Sequence, residues 1–314
     1  MAGFSIDGVA IVTGAATSSA FDHALMSLTS SDSSVSASGI GKETAIAFAA
    51  EGAAAVVFAD INLKGAQDAA EISRQLGKSS EYRALALKVD VGDAESVAGM
   101  VATVVEAFGR IDYSINCAGL VPETATTIPD ADVRDLERLH RVHVVGMLNC
   151  IQEVGKVMKS QAPATVNGRY GPRASTIRGT IVNVSSMFGL CVGMGQMPYT
   201  VTKHAMIGLS KNAALDMAPH GVRVNTLVPG WVDTPMTSDV PGLAAARIRR
   251  SVEVCVPIAR MATAEEIADV ALFLASPRSS YMYGASVQVD GGLMLGPHRN
   301  RPGEEEEGSP MYSW

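Results

Sequence analysis

The side chains with the most chemistry to offer are a tyrosine and a lysine four positions apart, Tyr199 and Lys203, with Ser186 thirteen positions upstream of the tyrosine. If Pro198 lies at the start of a helix, residues four apart fall one turn apart on the same face, which brings the ammonium near the phenol. A free phenol has a pKa of about 10 and transfers protons poorly at neutral pH, but a neighbouring cation stabilises the phenolate and lowers that value. Tyr199 is then an acid or base suited to redox chemistry at an alcohol or carbonyl carbon. Ser186 follows the apolar run Thr180–Val184, which reads as a short buried strand. Its hydroxyl falls where an open α/β sheet presents its ligands and can donate to a substrate oxygen. Ser185 reads instead as a turn or capping hydroxyl.

These side chains need a frame. Short apolar runs suggest strands near 8–13, 54–59, 84–89, 111–116, 180–184, 222–227 and 286–289. They alternate with helical patterns at 42–50, 64–76, 93–108, 131–158, 199–218 and 264–275. Strict alternation of this kind implies an α/β fold, a Rossmann-like doubly wound parallel sheet with helices on both faces, in one domain. Residues 159–179, polar and basic, read as a surface loop before the strand that leads to Ser186. Glycines after the first strand, Gly14 and then Gly39 and Gly41, let the backbone approach a pyrophosphate, and the next helix offers amide donors at its start. Asp60 ends the second strand where a carboxylate would accept hydrogen bonds from an adenosine ribose. With no basic residue following until Lys64, NAD is expected as cofactor, NADP staying open through Lys42 and Lys64.

The order of these motifs resembles the short-chain dehydrogenase/reductase family over nearly all of residues 5–295. The likeness rests on Val12–Ala16 with Ser38–Gly41, on Asp60, on Asp90, on Asn116–Gly119, on the serine, tyrosine and lysine, and on Pro229–Thr234. The resemblance implies that Ser38, Gly39, Ile40 and Gly41 complete the phosphate turn begun by Gly14. It also implies that Asp90 bonds the adenine, that Asn116 and Gly119 line the nicotinamide ribose, and that Val232 and Thr234 hold the carboxamide. Tyr199 would transfer the proton, Ser186 would bind the substrate oxygen, and Lys203 would lower the tyrosine pKa and bind the nicotinamide ribose.

Two departures from the family pattern stand out. Residues 17–37, serine-rich and without glycine or proline, interrupt the phosphate turn. They read as a surface excursion, either a translated intron, since Ala16 and Ser38 would join into an unbroken motif, or a lid over the cofactor. The second departure is His143, where the family usually carries an asparagine that helps hold a water near the lysine. Histidine can bond a backbone carbonyl and a water, which would replace the amide and add pH sensitivity, and the alternative is a packed residue with little catalytic part.

Composition narrows the field further. The chain has 314 residues, 47% hydrophobic and 5% aromatic, enough for one large aliphatic core. Of the formal charge of −7, four units come from Glu304 to Glu307 in a tail at 296–314 expected to be acidic and disordered. No basic stripe points to nucleic acid and no apolar stretch points to a membrane span. The four cysteines lack metal-ligand spacing and suit a reducing compartment, so no metal is expected and a cytoplasmic location is. Residues 187–198 and a helical cap at 231–258 would contact a small-molecule alcohol or ketone. Arg247, Arg249 and Arg250 on that cap read as solvated. The helices at 131–158 and 199–218 resemble those that build the family's dimers and tetramers. The function expected is NAD(P)-dependent hydride transfer between a nicotinamide and a secondary alcohol or ketone of secondary metabolism. The alternatives are a catalytically impaired dinucleotide-binding scaffold and a non-redox isomerase or dehydratase.

Overall fold

Runs of β-branched and aliphatic residues, each followed by an amphipathic stretch, build a seven-stranded parallel sheet in the computed structural model, which describes residues 6–16, 39–168, 170–238 and 243–296. The strands are β1 (Val9–Thr13), β2 (Ala55–Asp60), β3 (Arg83–Lys88), β4 (Tyr113–Asn116), β5 (Gly179–Val184), β6 (Val222–Pro229) and β7 (Ser286–Val289). Their order across the sheet is β3-β2-β1-β4-β5-β6-β7, and every neighbouring pair is parallel. The order reverses between β1 and β4. Loops leaving the carboxyl ends of those two strands must diverge, and the crevice between them is where such a sheet takes its ligands.

The helices are α1 (Ile40–Glu51), α2 (Leu63–Leu76), α3 (Ala94–Phe108), α4 (Val133–His140), α5 (Met147–Ser160), α6 (Met197–Met217), α7 (Leu243–Cys255) and α8 (Ala264–Ala275). Side-chain oxygens of Asn62, Asp93 and Asp132 accept first-turn amides and so start α2, α3 and α4. Alternate residues of β1 feed opposite faces. Ala10 and Val12 join a core with Phe48 of α1, Ala69 of α2 and Ile267 and Leu272 of α8, while Val9 and Ile11 join another with Val97 of α3, Val154 of α5 and Met206 of α6. Both faces of the strand are covered, which is why it reads as an unbroken apolar run rather than an alternating one. Among the described residues, no helix is long and apolar enough to cross a membrane.

The stretch 159–179 is not a loop. Ser160 ends α5, and an antiparallel hairpin follows, Ala164–Gly168 against Gly171–Ile177, with Gly168 opposite Gly171. Gly171 has a φ of 122°, a backbone conformation that glycine adopts without strain. Gln161 anchors the hairpin's base, its side chain pairing with the backbone of Ile111 and the carbonyl of Arg178.

Candidate active site

Every described residue singled out from the cofactor motifs follows, or ends, the carboxyl end of a strand. Gly14 turns the chain after β1 with a φ of 69°, and a Cβ there would lie 2.8 Å from the Ala118 amide nitrogen. A Cβ on Gly41 would fall 2.1 Å from the Gly14 carbonyl oxygen. The turn after β1, the start of α1 and the turn after β4 therefore touch backbone to backbone, which only glycine permits. Gly39 caps α1 without a side-chain hydrogen bond, and Ile40 opens the helix. Ser38 and the segment 17–37 lie outside the described residues, as does the tail 297–314.

Asp60, buried at the end of β2, accepts the Ala16 and Asn62 amides at 2.9 Å each, and burial raises its carboxyl above the usual range. It thus fixes the outgoing end of the glycine turn. Asp90 accepts the Gly92 amide at 2.9 Å and the Arg141 guanidinium at 2.6 Å, a partner 51 residues away with no local signal. Asn116 does not project its amide into the crevice. Its Nδ2 donates to Asn183 Oδ1 at 2.7 Å, and Asn183 donates on to Ser210 at 2.9 Å, so the side chain is buried in the sheet. Val232 and Thr234 are both buried, in a turn that the Thr237 hydroxyl ties by donating to the Val232 carbonyl at 2.5 Å.

Ser186 comes two residues after β5. Its Oγ accepts the Phe188 amide at 3.3 Å, which starts the short turn Met187–Gly189. That turn presses on α6, since a Cβ on Gly189 would lie 2.8 Å from the Lys203 carbonyl. Ser185 donates to that same carbonyl at 3.0 Å, a structural use of its hydroxyl. Tyr199 and Lys203 sit in the first two turns of α6, with Pro198 in the opening turn, and Lys203 Nζ is 5.3 Å from the centroid of the tyrosine ring. Ser186 hydrogen-bonds the phenol. Serine, tyrosine and lysine therefore converge beside Gly119, where an added Cβ would stand 3.7 Å from Lys203 Nζ.

The ionisation of the pair differs from what spacing suggests. Burial pushes the Tyr199 phenol up to about 12, against the downward pull of the Ser186 hydrogen bond. Burial also pulls the Lys203 ammonium down to about 8. Taking both groups out of water penalises both charged forms, and this outweighs the mutual help expected of neighbours. His143 corrects a second expectation. It is fully buried, and desolvation followed by the charge of Lys203 holds its pKa well below the usual histidine value, so it adds no pH sensitivity near neutrality. Its partners are the Leu120 amide and the Thr202 hydroxyl, each at 2.9 Å, rather than a carbonyl and a water. Thr202 carried no signal in the sequence, because what gives it meaning lies 59 residues away.

Phe188 stands edge-on to both Tyr199, at 6.1 Å, and Trp231, at 6.3 Å, giving the crevice an aromatic wall. Helix α7 forms part of the expected cap and is anchored by the buried Val252. Arg249 and Arg250 are exposed, and the side chain of Arg247 lies outside the described residues.

Comparison with known proteins gives a consistent picture. The family model described as Enoyl-(Acyl carrier protein) reductase matches residues 35–294. The short-chain dehydrogenase anuF of Penicillium roqueforti is 44% identical over 92% of this chain and 97% of its own length. The 3-oxoacyl-[acyl-carrier-protein] reductase FabG of Thermotoga maritima is 34% identical over 82% of this chain and 95% of its own. Among solved structures, a short-chain type dehydrogenase/reductase from Mycobacterium marinum superimposes with a TM-score of 0.72 at 26% identity, covering 93% of this chain and 98% of that one.

Proposed function

The chain belongs to the short-chain dehydrogenase/reductase family of oxidoreductases, and from that we propose that it transfers hydride between a nicotinamide dinucleotide and a secondary alcohol or ketone. The observation that carries the proposal is the convergence of Ser186, Tyr199 and Lys203 beside the turns after β1 and β4. The residues present fit a dinucleotide. Gly14 and Gly41 form a floor that any side chain would fill, α1 begins without a side-chain cap, and Asp60 ends β2 next to them. Gly14, Gly39, Ile40 and Gly41 would hold the diphosphate, Asp60 the adenosine ribose, Asp90 the adenine side, Asn116 and Gly119 through their backbone the second ribose, and Val232 and Thr234 the carboxamide. When bound, the dinucleotide donates or accepts the hydride.

The chain's own part is position and proton management. During reduction the Tyr199 phenol gives its proton to the carbonyl oxygen, and during oxidation the phenolate takes the alcohol proton. Ser186, placed beside the phenol, donates to the same oxygen and steadies the charge that develops there. Lys203 supplies positive charge beside the phenol and binds the ribose. NAD is the preferred cofactor, a reading supported by Asp60 at the end of β2 beside the glycine turn and by the pairing of Lys64 with Asp68. A secondary-metabolite intermediate is the substrate class, in keeping with the likeness to fungal dehydrogenases. A homodimer or homotetramer in the cytoplasm is the setting, and the exposed Leu215 on α6 supports that assembly.

The test is the absorbance of reduced cofactor, with NAD and NADP in parallel, against a panel of alcohols and ketones. Tyr199→Phe is expected to cut turnover by about 10²–10⁴ or more while cofactor affinity is unchanged. Full turnover by that variant would remove the assignment of Tyr199. Substrate conversion with no net change in absorbance would replace redox with isomerisation or dehydration.

A further inference from the structure

His143 lies in the π-helical turn Arg141–Gly146, between α4 and α5, and has no exposed surface. Its Nε2 accepts the Leu120 amide at 2.9 Å. A nitrogen that accepts carries no proton, so the ring's hydrogen is on Nδ1, where it meets the Thr202 hydroxyl at 2.9 Å. The Thr202 oxygen is in turn 3.0 Å from the carbonyls of both Pro198 and Tyr199, to which its own proton is donated. Donors thus run one way, from imidazole to hydroxyl to the backbone of the tyrosine. The ring also meets the Tyr199 ring edge-on, with centroids 5.6 Å apart.

We infer that His143 is a positioning residue: through Thr202 it holds the backbone that carries Tyr199, and through Leu120 it holds the turn after β4, spacing the two with one uncharged ring. The inference rests on the reading of Tyr199 as the proton-transfer group. Both ring nitrogens are engaged, so the imidazole can join a relay to Lys203 only by breaking one of these bonds. The turn that carries the ring is itself tied down. Arg141 bonds Asp90 at 2.6 Å, Asn149 Nδ2 donates to the Val91 carbonyl at 2.9 Å, and a Cβ on Gly146 would lie 2.7 Å from Val91 Cγ2. A π-helical turn inserts extra backbone into a helix and re-aims the side chains on it, a use that recurs at functional sites. Here it directs an imidazole, larger than an asparagine amide, across the space between a loop and a helix.

Two substitutions and one spectrum test this. Thr202→Val keeps the side chain's shape and removes the hydroxyl; it should lower kcat about tenfold or more, since small displacements of a reacting group are costly, and leave dinucleotide Kd unchanged. Thr202→Ser should restore kcat. His143→Asn, too short to reach both partners, should lower kcat similarly. In the full chain labelled at its histidine nitrogens, one imidazole should give the Nδ1–H tautomer with no titration between about pH 5 and 8, and that signal should vanish in His143→Asn. An Nε2–H tautomer, a titration in that range, or unchanged turnover in Thr202→Val or His143→Asn would overturn the inference. Should His143→Asn not fold, the other two measurements decide. An active Tyr199→Phe variant would instead bring down the underlying assignment, so the two failures are distinguishable.

Discussion

Burial acts on the two principal side chains of the site in opposite senses, leaving a phenol that keeps its proton and an amine that holds its proton less firmly. A protonated phenol is the form that donates to a carbonyl. The same shifts make a statement about stability. For Lys203 the folded pKa of about 8 lies below the ordinary value of 10.5, so between those two pH values the unfolded chain binds the extra proton and the folded chain does not. Stability from this group therefore rises with pH across that window, and its full penalty applies below it. Lys203→Met is expected to abolish most activity yet to stabilise the fold at neutral pH by on the order of 2 kcal/mol, a gain that shrinks as pH approaches 10. Urea unfolding of both proteins at neutral and alkaline pH reads this directly, and a variant less stable at both would show that the ammonium's contacts outweigh its desolvation. Serine, tyrosine and lysine were legible because their relation is local, one helical turn and one strand end. The partners of Asp90, Asn116 and His143 lie 51, 67 and 59 residues away, and only folding brings them together.

At the scale of elements, the site depends on how closely three turns approach. Gly41 lets the first turn of α1 rest on the turn after β1, and the obstacle to a side chain there is backbone, a carbonyl oxygen 2.1 Å from the added carbon. A flexible neighbour could yield; Gly14, pressed in turn against Ala118, cannot. Gly41→Ala is expected to cost about 1–3 kcal/mol by overpacking and to remove dinucleotide binding. Thermal unfolding with and without NAD separates the two effects, because a ligand raises the midpoint only if the folded state binds it. A variant that NAD stabilises as much as the parent would show that the contact is not needed. Such glycines announce themselves in a sequence by their spacing after a strand. The hairpin Ala164–Ile177 did not, because few apolar positions alternate along it, and composition alone suggested a loop.

Across the whole molecule, one sheet serves two cores, and the strands that feed both carry the site at their carboxyl ends. Arg223 of β6, fully buried, binds the end of α8 and the chain just beyond it to the sheet by donating to the carbonyls of Leu274, Ala275, Ser276 and Ser279. The seven strands and their alternation with helices were legible because each element imposes its own periodicity; the interruption after β1 was legible only as a departure. A Cβ on Gly39 would stand 3.9 Å from the Ala16 carbonyl oxygen, so the chain departs and returns at one place. A single residue joins neighbours whose Cα atoms are up to about 7 Å apart, so Ser38 alone would have to close the turn if residues 17–37 are removed. Closing a shorter loop also carries a smaller entropic cost. The chain lacking residues 17–37 is therefore expected to unfold in one transition at a midpoint no lower than that of the full chain, and to bind NAD at least as tightly. Calorimetric unfolding and NAD titration of the two chains side by side make the comparison. Weaker binding by the shortened chain, with its midpoint unchanged, would assign the segment to the cofactor site as a lid and end the reading of it as dispensable.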